Sequence, residues 1–339
     1  MTVSSLLVRL RWLSAITLVS LLATPVWAQY RPPQAPVGPH RMVAPNGYTN
    51  PVFPAPNRYV PATQPGARRR PFRTAQRPDS PAYLDRLKNL NNTNAETAPT
   101  LGTTAAQGEH PLAPALRWAH DGLNNIKKIQ DYSATVVKRE RLGNTVGGYQ
   151  YMFLKIRHNP FSVYTRFLAP DKLKGQECIY IKGQNNGKMF AHGTGLEKKL
   201  FKTVLIAPDG PIAMRGQRYP LTEIGMLNLV TRLIEVGEED MKYGECDVKF
   251  FKGAKINNRV CTVIQVVHPV PRRNFRFHLA RIFIDDELNV PIRYEAFDWP
   301  KEQGSQPQLL EEYTYLDLKL NQGFTDEDFT TDNPNYDFP

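Results

Sequence analysis

The runs Tyr149-Gln-Tyr-Met-Phe-Leu-Lys-Ile-Arg157 and Phe161-Ser-Val-Tyr-Thr-Arg-Phe-Leu168, separated by His158-Asn-Pro160, decide the fold of this 339-residue chain. In the first run Met152, Leu154 and Ile156 fall on one side of the strand, and the residues between them fall on the other side. Alternation with period two between turn residues predicts strands that bury one face. A third such run, Gln176–Lys182, follows closely. We therefore expect the nucleus of an antiparallel sheet whose apolar face needs a cover.

Two segments with helical spacing supply that cover. The first, Leu112–Ile129, has Pro111 and Pro114 at positions that a helix start accepts, and the second, Leu221–Val236, precedes Gly237, which can cap a helix end. The apolar positions recur every three or four residues, which indicates one buried stripe on each helix. Their apolar members are Leu116, Ala119, Leu123 and Ile126, and then Ile224, Leu227, Val230, Leu233 and Ile234.

A second set of strands follows the second helix. The predicted strands are Asp247–Lys252, Arg259–His268, His278–Asp285, Val290–Trp299 and Leu309–Leu320. Short turns such as Asn257-Asn258 join them, and consecutive hairpins imply a meander. The predicted fold class is α+β, with a curved antiparallel β-sheet or half-barrel covered by two main helices. The acidic, aromatic C-terminal tail is expected to fold back and protect an edge strand.

The chain divides into three parts by composition. Residues 1–28 contain Arg9, Arg11, the apolar run Trp12–Leu22 and Val26-Trp-Ala28, which predicts a cleaved signal peptide. The alternative is an uncleaved membrane anchor. Residues 29–109 hold 14 of the 29 prolines, which predicts a disordered Pro/Arg-rich arm, with a short helix at Pro81–Leu90 as an option. Residues 110–339 form one predicted domain. After cleavage no integral membrane span remains, and the protein is exported to the periplasm or cell envelope.

The basic excess lies in the arm. Residues 29–109 carry ten Arg or Lys against four Asp or Glu, whereas residues 110–339 carry 31 against 28. A nearly neutral domain argues against nucleic acid as a partner. Attraction of the arm to an anionic envelope surface is one interpretation, and a merely solvated tether is the other.

No catalytic constellation emerges from the residues. Cys178, Cys246 and Cys261 form no metal-binding pattern, and the hairpin register argues against a bridge between the last two, which leaves three buried thiols. His158 and His268 are interpreted as turn or surface residues. Neither an esterase nucleophile motif nor a zinc motif is present. We therefore predict no enzyme, no cofactor and no metal.

Two charged runs have competing interpretations. Glu238-Glu-Asp240 is interpreted as solvated surface. The loop Pro269–His278 alternates Arg and Phe, which suits either an exposed hairpin or contact with a lipid headgroup or polyanion at the mouth of a cavity.

Several motifs carry a family resemblance. Lys155-Ile-Arg-His-Asn-Pro-Phe-Ser-Val-Tyr164, Gly183-Gln-Asn-Asn-Gly-Lys188, Arg218-Tyr-Pro-Leu-Thr-Glu-Ile-Gly225 and Asp328-Phe with Asn333-Pro-Asn-Tyr336 resemble an exported bacterial family known only as a domain of unknown function. The order of elements also resembles the lipoprotein-carrier superfamily of LolA-, LolB- and RseB-like proteins. That resemblance implies a half-barrel lidded by helices with an apolar cavity for acyl chains.

The predicted function is an exported cell-envelope binding protein that holds a lipid, an acyl chain or a lipidated protein in an apolar cavity. The alternative is an envelope scaffold or sensor that binds a protein or an anionic polymer. The expected ligand-binding residues are Leu154, Ile156, Val163, Phe167, Leu227, Val230, Ile282, Ile284, Tyr294 and Leu316.

Overall fold

The computed structural model describes residues 105, 108–194, 202–302 and 304–339. The predictions for the leader, for the short helix at Pro81–Leu90 and for nearly all of the arm lie outside these residues. Within the described residues, two long helices are present, α1 (Ala113–Ile126) and α2 (Met226–Asp240).

Twelve strands form one sheet. In chain order they are β1 (Asp131–Leu142), β2 (Thr145–Val146), β3 (Gln150–Arg157), β4 (Ser162–Ala169), β5 (Glu177–Ile181), β6 (Met189–His192), β7 (Val204–Ile206), β8 (Asp247–Ile256), β9 (Arg259–Val267), β10 (Leu279–Asp285), β11 (Pro291–Asp298) and β12 (Gln308–Leu320).

The sheet is open and antiparallel throughout. Its order is β7-β6-β5-β4-β3-β1-β12-β11-β10-β9-β8, with β2 attached to β1. Two meanders meet where the first long strand pairs with the last one, with Tyr132 opposite Leu320. The described residues therefore confirm the predicted fold class, an antiparallel sheet combined with two main helices.

The predicted bounds of α2 were wrong by about one turn at each end. Leu221–Glu223 forms a separate 3₁₀ turn, and the α-helix begins only after Gly225, whose φ of 110° breaks helical geometry. Gly237 does not cap the helix but lies inside it. A Cβ at Gly237 would lie 2.9 Å from Leu116 Cδ2, so glycine permits the close crossing of α1 and α2.

Both helices cover one face of the sheet, called here the inner face. Leu154 and Ile156 of β3, predicted to lie on one side of their strand, are fully buried in a cluster that also contains Leu116 and Val230 of the helices. Trp118 of α1 stacks on Phe250 of β8 with ring centroids 5.7 Å apart. The apolar stripes of the helices and the inward residues of the strands thus pack together in a single apolar core.

The C-terminal segment 324–338 packs on the opposite, outer face. Tyr336 stacks on Tyr164 of β4 at a centroid distance of 3.8 Å, and Asp328 accepts a hydrogen bond from Lys155 Nζ at 2.6 Å. The tail does fold back, as expected, but it packs on a face of the sheet and not along an edge strand, since β7 and β8 form the edges. It covers the face of the sheet around β3 to β6, because its aromatic side chains match the apolar residues there.

Beneath this tail lies a buried carboxylate, Glu177. It accepts hydrogen bonds from the Tyr164 hydroxyl at 2.9 Å, from Arg166 at 2.6 Å and from the Asp337 backbone N–H at 2.9 Å, and His192 Nε2 lies 2.9 Å away. Burial alone would raise the pKa of Glu177, but these partners together lower it. The carboxylate thereby joins the tail to three strands.

At the start of α2, Gly225 is the position where we expect a larger residue to be tolerated least. An added Cβ would lie 2.9 Å from both Ile156 Cδ1 and the Tyr132 hydroxyl oxygen, at a φ that side chains rarely adopt. That hydroxyl oxygen also accepts a hydrogen bond from the Met226 backbone N–H at 2.9 Å. We expect Gly225→Ala to lower the free energy of unfolding by about 1–3 kcal/mol, measured by urea denaturation.

The matched control is Gly244→Ala. A Cβ at Gly244 would meet no atom within 4 Å, so this substitution should change stability by no more than about 0.5 kcal/mol. Equal effects of the two substitutions would contradict the assigned geometry.

Candidate functional site

An apolar cavity of about 90 Å³ lies between the two helices and the inner face of the sheet. Strands β9, β10 and β11 form its floor, while α1 and α2 form its walls. The alternation of β10 shows how the floor arises. Ala280, Ile282 and Ile284 line the cavity, whereas Arg281 and Phe283 line a groove on the outer face.

The helices contribute small as well as large residues to the cavity. Leu116 and Ala119 of α1 and Val230 and Leu233 of α2 form its walls. Gly122 in the middle of α1 also lines it, and an added Cβ there would meet no atom within 4 Å. The space therefore persists because Ala119 and Gly122 occupy positions where larger side chains would fill it.

The ten predicted ligand-binding residues do not all lie together. Val230, Ile282 and Ile284 line the cavity. Leu154, Ile156, Val163 and Tyr294 are buried in the same apolar cluster, against which Leu227 also packs. Phe167 is buried on β4. Leu316 belongs to a separate small cluster with Val137, Tyr151 and Leu168.

Sequence reasoning missed most of the cavity lining on α1 and β9. Leu116, Ala119, Ile264 and Val266 line the cavity. Helical spacing marks Leu116 and Ala119 only as inward-facing, and β9 has apolar residues on both of its sides, so alternation does not assign Ile264 and Val266 to the inner face. Nothing in those patterns distinguishes a residue packed against a neighbour from one that borders a void. The signal that was available is the pair Ala119 and Gly122, two small residues on the inward stripe of a helix.

The cavity has a polar end at the last residue of α2. Asp240 lines the cavity with only 3% of its surface exposed, and its Oδ2 lies 3.3 Å from Nε2 of the fully buried His268. Asn289 is the other polar residue of the lining. A buried carboxylate beside an imidazole is the one chemically distinctive feature of an otherwise apolar space.

Two interpretations made from the sequence were wrong here. His268 is no surface residue, because Phe275 stacks on its ring at 4.0 Å and Phe277 lies 4.9 Å away. Of the acidic run at the end of α2, Glu238 and Glu239 are exposed, but Asp240 is buried because helical rotation turns it toward the sheet.

Burial shifts the pKa values of both groups toward their neutral forms. It raises the pKa of Asp240 to about 7, with the charge of Arg276 opposing the shift and that of Glu239 adding to it. Burial likewise lowers the pKa of His268, against the raising effect of its hydrogen bond to the Phe277 carbonyl.

The outer groove is occupied by charges that pair with one another. Arg293 donates to Glu295 at 2.9 Å and to Glu312 at 2.7 Å, and Arg281 donates to Glu295 at 3.0 Å. Glu295 and Glu312 are directly opposite in the register of β11 and β12, so Arg293 offsets a repulsion between two like charges.

Other reactive groups show no sign of activation. Cys178, Cys246 and Cys261 are free thiols, and burial is the largest cause that raises their pKa values, to about 12, 11 and 12 respectively. Protonated, buried thiols are poor nucleophiles. Across the described ranges, no three or more His, Cys, Asp or Glu side chains are grouped to hold a metal ion. Neither described helix is long and apolar enough to cross a membrane.

An open antiparallel sheet with two helices over one face, and a void between them, defines an α+β half-barrel. Residues 129–338 match the family described as "Protein of unknown function (DUF1571)", and the chain belongs to that family. The family resemblance stated from the sequence is confirmed. Helix α1, which forms one wall of the cavity, precedes the matched region.

Several solved structures are similar to this chain at low TM-scores. A DUF1329 family protein from Desulfovibrio piger is 10% identical, over 65% of this chain and 98% of its own, with a TM-score of 0.33. A putative outer membrane lipoprotein-sorting protein domain from Vibrio parahaemolyticus is 13% identical over 62% and 97%, at 0.30. The Mycobacterium tuberculosis lipoprotein LppX is 14% identical over 63% and 98%, at 0.37.

A comparison with curated proteins finds no match.

The Asp240 carboxyl should make stability depend on pH. Its folded-state pKa of about 7 lies above its ordinary value of 3.8, so its stabilising contribution is complete below about pH 4 and is lost as the pH rises through about 7. Asp240→Asn cannot lose this contribution, because its side chain does not titrate. We therefore expect the free energy of unfolding of Asp240→Asn, minus that of the unmodified protein, to increase by about 1–3 kcal/mol from pH 5 to pH 8. Urea denaturation at both pH values measures this difference.

The comparison isolates Asp240 because His268, Arg276, Glu239 and His278 are the same in both proteins. His268 alone gives the opposite trend, since its lowered pKa makes its contribution grow as the pH rises toward 6.5. Glu235→Gln, on the exposed side of α2, serves as the control. Parallel pH profiles for the unmodified protein and Asp240→Asn would refute the assignment.

Proposed function

We propose that this protein is an exported binding protein of the cell envelope that holds a lipid, an acyl chain or a lipidated protein between its helices and its sheet, without catalysis. The single observation that supports this proposal is the apolar cavity bordered by α1, α2 and strands β9 to β11. A void lined almost entirely by apolar side chains is poorly suited to water and well suited to a hydrocarbon.

The size of the cavity limits what it can hold as it stands. Its volume of about 90 Å³ is smaller than the roughly 150 Å³ engineered cavity that binds benzene, and far below the roughly 300–1,000 Å³ of drug-sized sites. A whole acyl chain therefore requires the helices to separate from the sheet. In this proposal, the described arrangement is the closed form.

Helix α1 is the element that would move. Its inward contacts are made by apolar side chains, such as Leu116 against Gly237 and Trp118 against Phe250. Apolar contacts with a ligand can replace these contacts with little change in free energy. Burial of each methylene contributes about 0.8 kcal/mol, so a chain of eight carbons supplies about 6 kcal/mol toward the opening and ordering costs.

Within the predicted set, Val230, Ile282 and Ile284 are the proposed first contacts of the ligand. The residues of the neighbouring cluster, Leu154, Ile156, Val163, Leu227 and Tyr294, become contacts in this proposal as the cavity extends across the sheet. Phe167 lies farther from the cavity lining and would be reached last. Leu316 groups with Val137, Tyr151 and Leu168 on the outer face, the side of the sheet away from the helices, so it is not a contact in this proposal.

Localisation and surface attachment rest on the sequence. The leader at residues 1–28 supports export, and the basic arm supports attraction to an anionic envelope surface. Deleting residues 29–109 separates the two roles. A ligand carrier keeps its ligand, whereas a scaffold or sensor that binds the envelope through the arm loses its attachment to that surface.

Filling the cavity should block uptake. Gly122→Leu places a side chain in open space beside the void, and it should weaken binding of the neutral probe N-phenyl-1-naphthylamine at least tenfold while raising thermal stability. Gly122→Ala is the matched control, because it gains helix propensity of about 0.5–1 kcal/mol but adds only one methyl group.

Fluorescence titration of the probe and native mass spectrometry of gently purified protein are the two measurements. Co-purified lipid, with probe binding by the unmodified protein and by Gly122→Ala but not by Gly122→Leu, is the expected result. A clean apo mass combined with no probe binding by the unmodified protein would overturn the proposal.

A further inference from the structure

We infer that Asp240 and His268 form a head-group site at the end of the apolar cavity, one that selects ligands with a hydrogen-bond-donating head, such as a primary amine, over ligands with a carboxylate or phosphate head. This inference rests on the proposed function and deepens it, because it assigns a chemical class to the ligand.

The tautomer of His268 follows from its surroundings. Its Nδ1 lies 3.1 Å from the backbone carbonyl oxygen of Phe277. A carbonyl oxygen only accepts hydrogen bonds, so Nδ1 carries the proton and Nε2 of the neutral ring presents a lone pair. Burial, which lowers the pKa of His268, keeps the ring neutral.

That lone pair has no hydrogen-bond donor. Nε2 is buried and makes no hydrogen bond, although Asp240 Oδ2 lies 3.3 Å away. Within the described residues, no hydrogen bond to the Asp240 carboxylate accompanies this contact. Two acceptors that face each other in a buried place repel unless a proton or a donor lies between them. When Asp240 is ionised, the arrangement lacks a donor.

An ammonium head group supplies the missing hydrogen-bond donor. It carries three N–H donors and one positive charge, enough to bridge Nε2 and the carboxylate together. Asp240 is also the last residue of α2, where the free carbonyl groups of the helix favour a cation. An anionic head would meet a buried carboxylate and bring no donor. An alcohol brings one donor and no charge, so it ranks between the two.

Other charged groups near Asp240 modify this preference without reversing it. Arg276 is positive, but it lies on the exposed side of the loop that precedes β10, while Glu239 next to Asp240 is negative and exposed. Exposed charges are screened by solvent and salt. His278 and the Cys246 thiol are the remaining titratable neighbours, and both act on the pair through their fields. The charge in direct contact with the head remains that of Asp240.

Three eight-carbon compounds test the inference: octylamine, octanol and octanoate. Their dissociation constants at pH 8, where Asp240 is ionised, are measured by displacement of N-phenyl-1-naphthylamine from the full-length protein. We expect octylamine to bind at least tenfold more tightly than octanoate, with octanol between them. Asp240→Asn should abolish the preference for the amine and leave octanol binding within twofold. Glu235→Gln should leave all three constants unchanged.

A second measurement does not depend on any variant. In the unmodified protein, the ¹⁵N signal of His268 Nε2 should shift toward the hydrogen-bonded range when octylamine is added, and it should not shift with octanoate. Equal constants for the three compounds, or tightest binding of octanoate, would overturn the head-group site while leaving the cavity proposal intact. Failure of all three to bind would overturn the proposed function itself, and the inference with it.

Discussion

The structure depends on covering one apolar face of an open sheet with only two helices. The inner face of an antiparallel sheet is stable only when its side chains leave water. Helix α2 is held over β1 by the Tyr132 hydroxyl, which accepts the Met226 N–H, and α1 is held against α2 where Leu116 meets Gly237. Two cylinders cannot follow a wide, twisted surface everywhere, and the mismatch becomes the void over β9 to β11.

The strands and the pairing of successive strands in hairpins could be predicted from local patterns. Alternation placed Leu154 and Ile156 on the buried side of β3, and the turn Asn257-Asn258, where both residues adopt positive φ, set Ala254 opposite Cys261 in the following hairpin. Such features depend on residues that are close together in the sequence, so a single sequence is enough to predict them. The α2 start could not be predicted in the same way. Leu221 and Ile224 fit the helical stripe, and only the crowding of Gly225 against Tyr132 and Ile156, which are distant in sequence, displaces the helix start to Met226.

The candidate site was harder to predict for a related reason. Inward orientation follows from periodicity, whereas a cavity is a failure of packing between elements that meet only in three dimensions. Asp240 illustrates the same difficulty for charge. In the sequence it is the third member of an acidic run, and only the rotation of α2 separates it from its exposed neighbours. His268 precedes a proline, as a turn residue would, yet the aromatic residues of the following loop cover it.

The pairing of β1 with β12 has a consequence for how the molecule is made. The central strands of the sheet are the first and the last to be synthesised, and Tyr132 finds Leu320 only when almost the entire chain is available. A partial chain on the ribosome can build the first meander and the second as far as β11, but it cannot join them before β12 is made. Contacts this distant in sequence slow folding, since a long loop must close before they form. The sheet therefore completes its pairing only after its last strand has been made.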